Sequence, residues 1–266
     1  MAASSSRPLA GTTVLVTRPA GTGAALARAA RALGARSLCL PGASLRGPSD
    51  RAAARTVLAT GARADAVVFV SPAAVRFAFA LEPGWRPRAR SLVFAVGPAT
   101  ARALARRGVT ARAPDGRYDS EGVLAAMAGA RLRRVCVVGA PGGRGLIAAA
   151  LRTRGVAVDE AQVYRRVAAR IDRRQLAPLA AARGRLLLLL SSAESLANLR
   201  ASLPAQAWAR LASALVVASS PRVAQAARAA GLATATVAAS ALGRDLLVAA
   251  VQALAAPPRS RGRRTD

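Results

Sequence analysis

The chain alternates short apolar runs with Ala- and Arg-rich segments of helical period. The first run is Thr13–Thr17, followed by an amphipathic stretch from about Ala24 to Leu33 that meets Gly34, a helix-stopping signal. Ser37–Leu40 is the next strand-like run, closed by Pro41, and residues 50–60 read as a helix. Ala66–Val70, Ser91–Val96 and Arg134–Val138 read as strands, with helices over Pro72–Ala80, from Pro98 to Arg107, and over Gly145–Arg154. A strand follows near Val156–Arg165. Leu186–Leu190, Leu215–Ala218 and Thr234–Ala238 then alternate with helices near Glu194–Leu203, Arg222–Ala230 and Gly243–Ala255. Strands separated by helices of this length predict parallel sheets with helices on both faces. The strands are apolar throughout rather than alternating, as suits sheets buried on both sides.

An internal echo refines this. Phe69-Val-Ser71-Pro72 followed by a helix resembles Leu189-Leu-Ser191-Ser192 followed by a helix. Val96-Gly97-Pro98-Ala-Thr100, closed by Gly108, resembles Ser219-Ser220-Pro221-Arg222, closed by Gly231. Two similar lobes of four or five strands each are expected.

Composition narrows the chemistry. Among 266 residues there is no His, which removes His-based nucleophilic sites, HExxH zinc sites and imidazole acid–base work. The two cysteines, Cys39 and Cys136, are far apart in apolar runs and are expected to be inert core thiols, with no metal cluster and no disulfide. All 40 basic residues are Arg, against 12 acidic ones, for a net charge of +28. With Ala and Gly abundant as well, compositional bias explains this charge as well as an acidic partner does. Aromatics are only 3% of the chain, which argues against a nucleic-acid module built on stacking. No apolar run reaches the ~18 residues of a membrane span, and Met1–Arg7 lacks a signal-peptide core, so a cytoplasmic protein is expected.

The candidate chemistry gathers at strand ends. Ser71, Gly97 with Pro98, Ser191–Ser192 and Ser220 each stand just after a strand and before a helix. There, helix N-terminal amides favour anions and hydroxyls add donors; helix capping alone is the plainer account of any one of them. Gly139–Gly145 also follows a strand and opens a helix, and Gly143–Ala148 fits GxGxxA with Asp159 and Glu160 downstream, a weak dinucleotide signal in so Gly-rich a chain. Arg18, after the first strand, is a candidate carboxylate clamp, and Tyr164 is one of only two tyrosines.

Taken together, Val14–Pro19, Phe69–Arg76, Ala95–Ala101, Asp115–Gly122, Gly139–Gly145, Val163–Arg165 and Ser220–Arg222 resemble the uroporphyrinogen-III synthase family in order and spacing, over residues 12–255. The resemblance implies an α/β fold of two similar doubly wound parallel-sheet lobes joined by a two-stranded linker, with the ligand cleft between the lobes. Lobe 1 would comprise residues 1–37 and 167–256, and lobe 2 residues 42–161. The linker strands fall at 38–41 and 162–166, and 257–266 form a basic disordered tail.

It also implies the reaction. The linear, eight-carboxylate hydroxymethylbilane loses its hydroxyl as water and closes with inversion of its last ring, by way of a spiro-linked intermediate. Uncatalysed closure gives the uninverted isomer, so such an enzyme controls geometry more than reactivity. Tyr164 matches the family's candidate for assisting hydroxyl departure. The substrate-binding expectations are Arg18, Ser71, Arg76, Gly97, Pro98, Thr100, Gly142, Gly143, Ser191, Ser192, Ser220 and Arg222. No cofactor, metal, nucleic-acid or membrane partner is expected, and the working form is expected to be a monomer. The sequence departs from the family's pattern at Ser220-Pro-Arg222-Val, where some relatives carry Gly-Pro-Thr-Thr, and at Ala193, where Pro is common. Non-catalytic capture of an acidic ligand by the same two lobes is the alternative.

Overall fold

The computed structural model describes residues 7–142 and 145–255. The expectations for Gly143 and for the basic tail at 257–266 lie outside the described residues. The chain divides into two compact units, one made of residues 1–44 with 167–266 and the other of residues 45–166.

In the first unit, β1 (Thr12–Val16) leads through α1 (Ala24–Ala32) to β2 (Arg36–Cys39) and then to β3 (Ala43–Arg46), where the chain passes into the second unit. The second unit runs α2 (Arg51–Gly61), β4 (Ala66–Phe69), α3 (Pro72–Leu81), β5 (Leu92–Ala95), α4 (Pro98–Ala105), α5 (Ser120–Ala126), β6 (Arg134–Gly139), α6 (Leu146–Thr153) and β7 (Ala157–Gln162). The chain returns through β8 (Arg165–Ala168). It completes the first unit with α7 (Arg173–Ala180), β9 (Arg185–Leu190), α8 (Ala193–Ser202), α9 (Ala205–Ala212), β10 (Leu215–Ala218), α10 (Pro221–Ala229), β11 (Thr234–Val237) and α11 (Gly243–Ala255).

Each unit is a parallel sheet covered on both faces. The first has the order β11-β10-β9-β1-β2 and the second β5-β4-β6-β7, all neighbours parallel. Period two sorts the side chains. Leu186, Leu188 and Leu190 of β9 pack with Leu15 and Val216 against α8, α9 and α10, while Leu187 and Leu189 pack with Val14 and Val16 against α1 and α11. In the second unit Val67, Phe69 and Cys136 face α2, α3 and α4, whereas Ala66, Val68 and Val135 face α5 and α6. The apolar-throughout strands therefore have the reason anticipated, two helical layers each.

Several details differ from the sequence reading. Leu38 and Cys39, expected in a linker strand, belong to β2 in the five-stranded sheet, and Gln162 ends β7. The segments that pair as a two-stranded ribbon are β3 and β8. Only Leu45 and Val167 are large apolar residues there, so neither strand has a legible pattern. Cys39 is exposed rather than a core thiol, because β2 is an edge strand with no neighbour beyond it. Helices α5, α7 and α9 carry no apolar strand or glycine boundary that announced them; Asp119 and Asp172 cap the first two by accepting the amides of Gly122 and Gln175.

Helix-to-sheet contact is closest at Gly61, at the end of α2. A Cβ there would overlap Cys136 Sγ and stand 2.7 Å from Cys136 Cβ. Gly61→Ala is therefore expected to lower stability by about 1–2 kcal/mol, an overpacking cost partly offset by better helix propensity. Urea denaturation should show Cys136→Ala relieving only part of that loss, since the Cβ overlap remains.

Burial pushes the Cys136 thiol up to about 12 from its ordinary 9.0. The folded state then keeps a proton that the unfolded chain releases, so this contribution is intact below pH 9 and declines as pH rises from 9 towards 12. At pH 8 a thiol reagent is expected to label Cys39 in the native protein and Cys136 only after unfolding, read by mass spectrometry.

Candidate functional site

The register of each sheet sets which turns share an edge. In the second unit Phe69 of β4 aligns with Ala95 of β5 and Val138 of β6, and Gly139 of β6 with Gln162 of β7. The residues that follow, Ser71, Gly97, Ala140–Gly142 and Val163–Tyr164, are therefore gathered along the carboxyl edge of that sheet. In the first unit Leu189 of β9 aligns with Val16 of β1 and Val217 of β10, which brings Thr17–Arg18, Ser191–Ser192 and Ser219–Ser220 to one edge.

Ser71 and Tyr164 meet directly. Ser71 caps α3, its Oγ accepting the Ala74 amide at 3.0 Å, and the same Oγ lies 3.3 Å from the Tyr164 hydroxyl. One lone pair of the serine is held by the helix end, and its own O–H remains free to turn toward the phenol. Tyr164 is 3% exposed, its ring stacked on Phe77 at 5.4 Å between centroids. Arg76 reaches back over the Phe77 ring, 4.8 Å from its centroid.

The neighbouring turn is mainly backbone. Gly97 is the N-cap of α4 without a side-chain cap, and Pro98 takes the first helical position, where its missing N–H costs nothing. A Cβ on Gly97 would come within 3.3 Å of Tyr118 Cβ, so glycine permits this approach. Thr100 is buried at 3% exposure in the first turn of α4. Gly142 adopts φ +74° in the turn after β6, a conformation side chains resist. Downstream of this turn, Asp159 pairs with Arg134 at 2.6 Å and Glu160 with Arg152 at 2.8 Å.

In the first unit, Ser192 and Ser220 cap α8 and α10 by accepting the amides of Ser195 at 3.2 Å and Val223 at 3.4 Å. Ser191 is half-buried, and Arg222 is exposed in the first turn of α10. Thr17 donates to the Leu189 carbonyl at 3.1 Å, tying the end of β1 to β9. Arg18 follows it, and one of its terminal nitrogens donates to the Ala241 carbonyl. Its Nε is the one buried side-chain polar atom without a partner among the described residues. Burial holds this guanidinium below its ordinary range. A partly desolvated cation with an unused donor is chemically suited to a carboxylate.

Sequence reasoning missed Phe77, Arg166 and Tyr118. Phe77 reads as one more apolar residue of a helix, and its stacking on Tyr164 spans 87 positions of chain that only the fold brings together. Tyr118 had a signal, being the other tyrosine and lying inside the Asp115–Gly122 stretch.

Two doubly wound parallel sheets, each with capped helix starts along its carboxyl edge, define an α/β protein of two units. The family model for uroporphyrinogen-III synthase HemD matches residues 24–247, most of the chain, and the chain belongs to that family. A mutant uroporphyrinogen III synthase of Thermus thermophilus is similar over 91% of this chain and 98% of its own, at 19% identity and a TM-score of 0.57. The uroporphyrinogen-III synthetase of Helicobacter pylori is similar over the same shares, at 13% identity and a TM-score of 0.56. At these identities the likeness is one of fold. Among the described residues no helix is long and apolar enough to cross a membrane, and no cluster of metal-ligating side chains occurs.

Replacing the half-buried Arg18 by an apolar side chain removes a partly desolvated cation and its unpartnered Nε. Arg18→Met is expected to leave the urea midpoint unchanged or higher, because burying an imperfectly paired charge offsets what it gains. A clear loss of stability would show that the Ala241 contact, not ligand binding, accounts for the residue.

Proposed function

We propose that this protein closes hydroxymethylbilane to uroporphyrinogen III, in tetrapyrrole biosynthesis, with Tyr164 as the proton donor. The observation that carries the assignment of the donor is the 3.3 Å approach of the Tyr164 hydroxyl to Ser71 Oγ at the start of α3. Membership of the uroporphyrinogen-III synthase family supplies the reaction.

The step balances as follows. The Tyr164 O–H bond breaks and its proton goes to the departing hydroxyl of the bilane. The carbon–oxygen bond cleaves, water leaves, and the adjacent pyrrole nitrogen supplies electrons to the methylene left behind. The phenol oxygen keeps its pair. Ser71, already held by the Ala74 amide, turns its O–H to that oxygen, which sits near the positive end of α3. The proton lost when the attacked ring regains aromaticity restores the phenol. General-acid assistance of this kind contributes roughly 10²–10⁴-fold.

Carboxylate binding falls to the two edges. In the first unit Arg18 offers its unused Nε, and the first-turn amides of α8 and α10 add donors beside Ser191, Ser192, Ser220 and Arg222. In the second unit the turns at Gly97–Pro98 and Gly142 contribute backbone donors, with Thr100 and Arg76 beside them. The working form is a monomer in the cytoplasm, a setting that suits two free thiols.

Coupled to a bilane-producing enzyme, the protein should yield the type III isomer, resolved by chromatography of the oxidised products. Tyr164→Phe should lower kcat by about 10²-fold or more, and Ser71→Ala by less. Arg18→Met should raise KM about tenfold with kcat little changed. Type I product alone from a folded sample would refute the cyclase and leave ligand capture in its place. Equal losses for Tyr164→Phe and Ser71→Ala would remove the acid.

A further inference from the structure

Tyr164 belongs to a larger aromatic arrangement than the reaction requires. The Phe77 ring lies 5.4 Å from it, at 15° between planes. The guanidinium carbon of Arg76 stands 4.8 Å from the Phe77 centroid, and that of Arg166 stands 6.0 Å from the Tyr164 centroid. Tyr164 is buried in the core cluster against which Phe77 packs, so neither ring is free in solvent. Both arginines are without an acidic partner among the ion pairs of the described residues.

A phenol held only by its hydroxyl is free to swing about its ring torsion, and a 3.3 Å bond to Ser71 is a weak tether. A second ring laid nearly parallel against it removes that freedom. Phe77 suits this task because it is carried by the same helix that Ser71 caps, so one rigid element sets both the hydroxyl partner and the ring face. The cations add a second effect. Guanidinium groups over aromatic faces are attracted by the ring quadrupoles, and the attraction grows as the phenol oxygen gains negative charge.

We propose that Phe77 is a positioning residue for proton transfer: its stacked ring holds Tyr164 with the hydroxyl against Ser71, while Arg76 and Arg166 favour the aromatic pair as charge develops on the phenol oxygen. The inference rests on the reading of Tyr164 as proton donor. Phe77 itself touches no reacting atom.

The test uses the full chain with Phe77→Leu, which keeps apolar bulk and loses the stack, and Phe77→Tyr, which keeps the stack. Phe77→Leu should lower kcat about tenfold with KM within about twofold, and Phe77→Tyr should recover most of that loss. Ring-flip rates from NMR of ¹³C-labelled tyrosine should be slow for Tyr164 in the wild type and in Phe77→Tyr, and fast in Phe77→Leu, with the exposed Tyr118 as internal control. Unchanged kcat in Phe77→Leu would overturn the proposal, as would equal losses in both variants or equally fast flipping in wild type and Phe77→Leu. If the wild type yields only the type I isomer, the cyclase reading fails and the catalytic role of Phe77 with it. The flip rates then still decide whether Phe77 holds the ring.

Discussion

A parallel strand can be followed by another only if the chain returns to the first edge, and here a helix makes each return. Every strand of a sheet therefore ends at the same edge, and each following helix starts there with its unpaired amides outward. The rest of this protein depends on that constraint. It explains why the residues with donor capacity, Ser71, Gly97, Ser192, Ser220 and Arg18, all lie within two positions of a strand end. It explains equally why the opposite ends of the same strands carry ordinary structural contacts, such as Asp65 accepting the amides of Arg133 and Arg134 at 2.7 and 2.9 Å.

The inventory of side chains suits a reaction that happens without help. No His or Lys stands in the chain. An enzyme for such a closure gains most from holding a flexible polyacid in the geometry that gives one product. Backbone amides at helix starts are well matched to that work, because they are fixed by the helix and lose no side-chain entropy on binding. The charged contribution is sparing: Arg18, kept partly dehydrated, interacts more strongly with a carboxylate than an exposed arginine would.

Much of this was legible without coordinates. Continuous apolar runs such as Leu186–Leu190 announced buried parallel strands, and glycines at 34, 108, 155 and 231 marked helix ends, all with positive φ in the structure. Ser-Pro and Gly-Pro after a strand marked helix starts, since serine caps and proline fits the first turn. The paired linker strands lie a few residues beyond the expected 38–41 and 162–166, because β3 and β8 are short and half polar, with one large apolar residue each. Cys39 was misjudged because an apolar neighbourhood in sequence says nothing of whether a strand lies at an edge.

What the amino-acid order alone determined was the strands and helices of the two sheets, their parallel pairing and the family, because strand burial, helix capping and turn chemistry are encoded within a few residues. Tertiary structure decided that Arg18 is partly desolvated, that Ser71 and Tyr164 meet across 93 positions, and that Phe77 faces the phenol. These depend on the register and packing of whole sheets, and no local pattern carries a distance between residues so far apart in the chain.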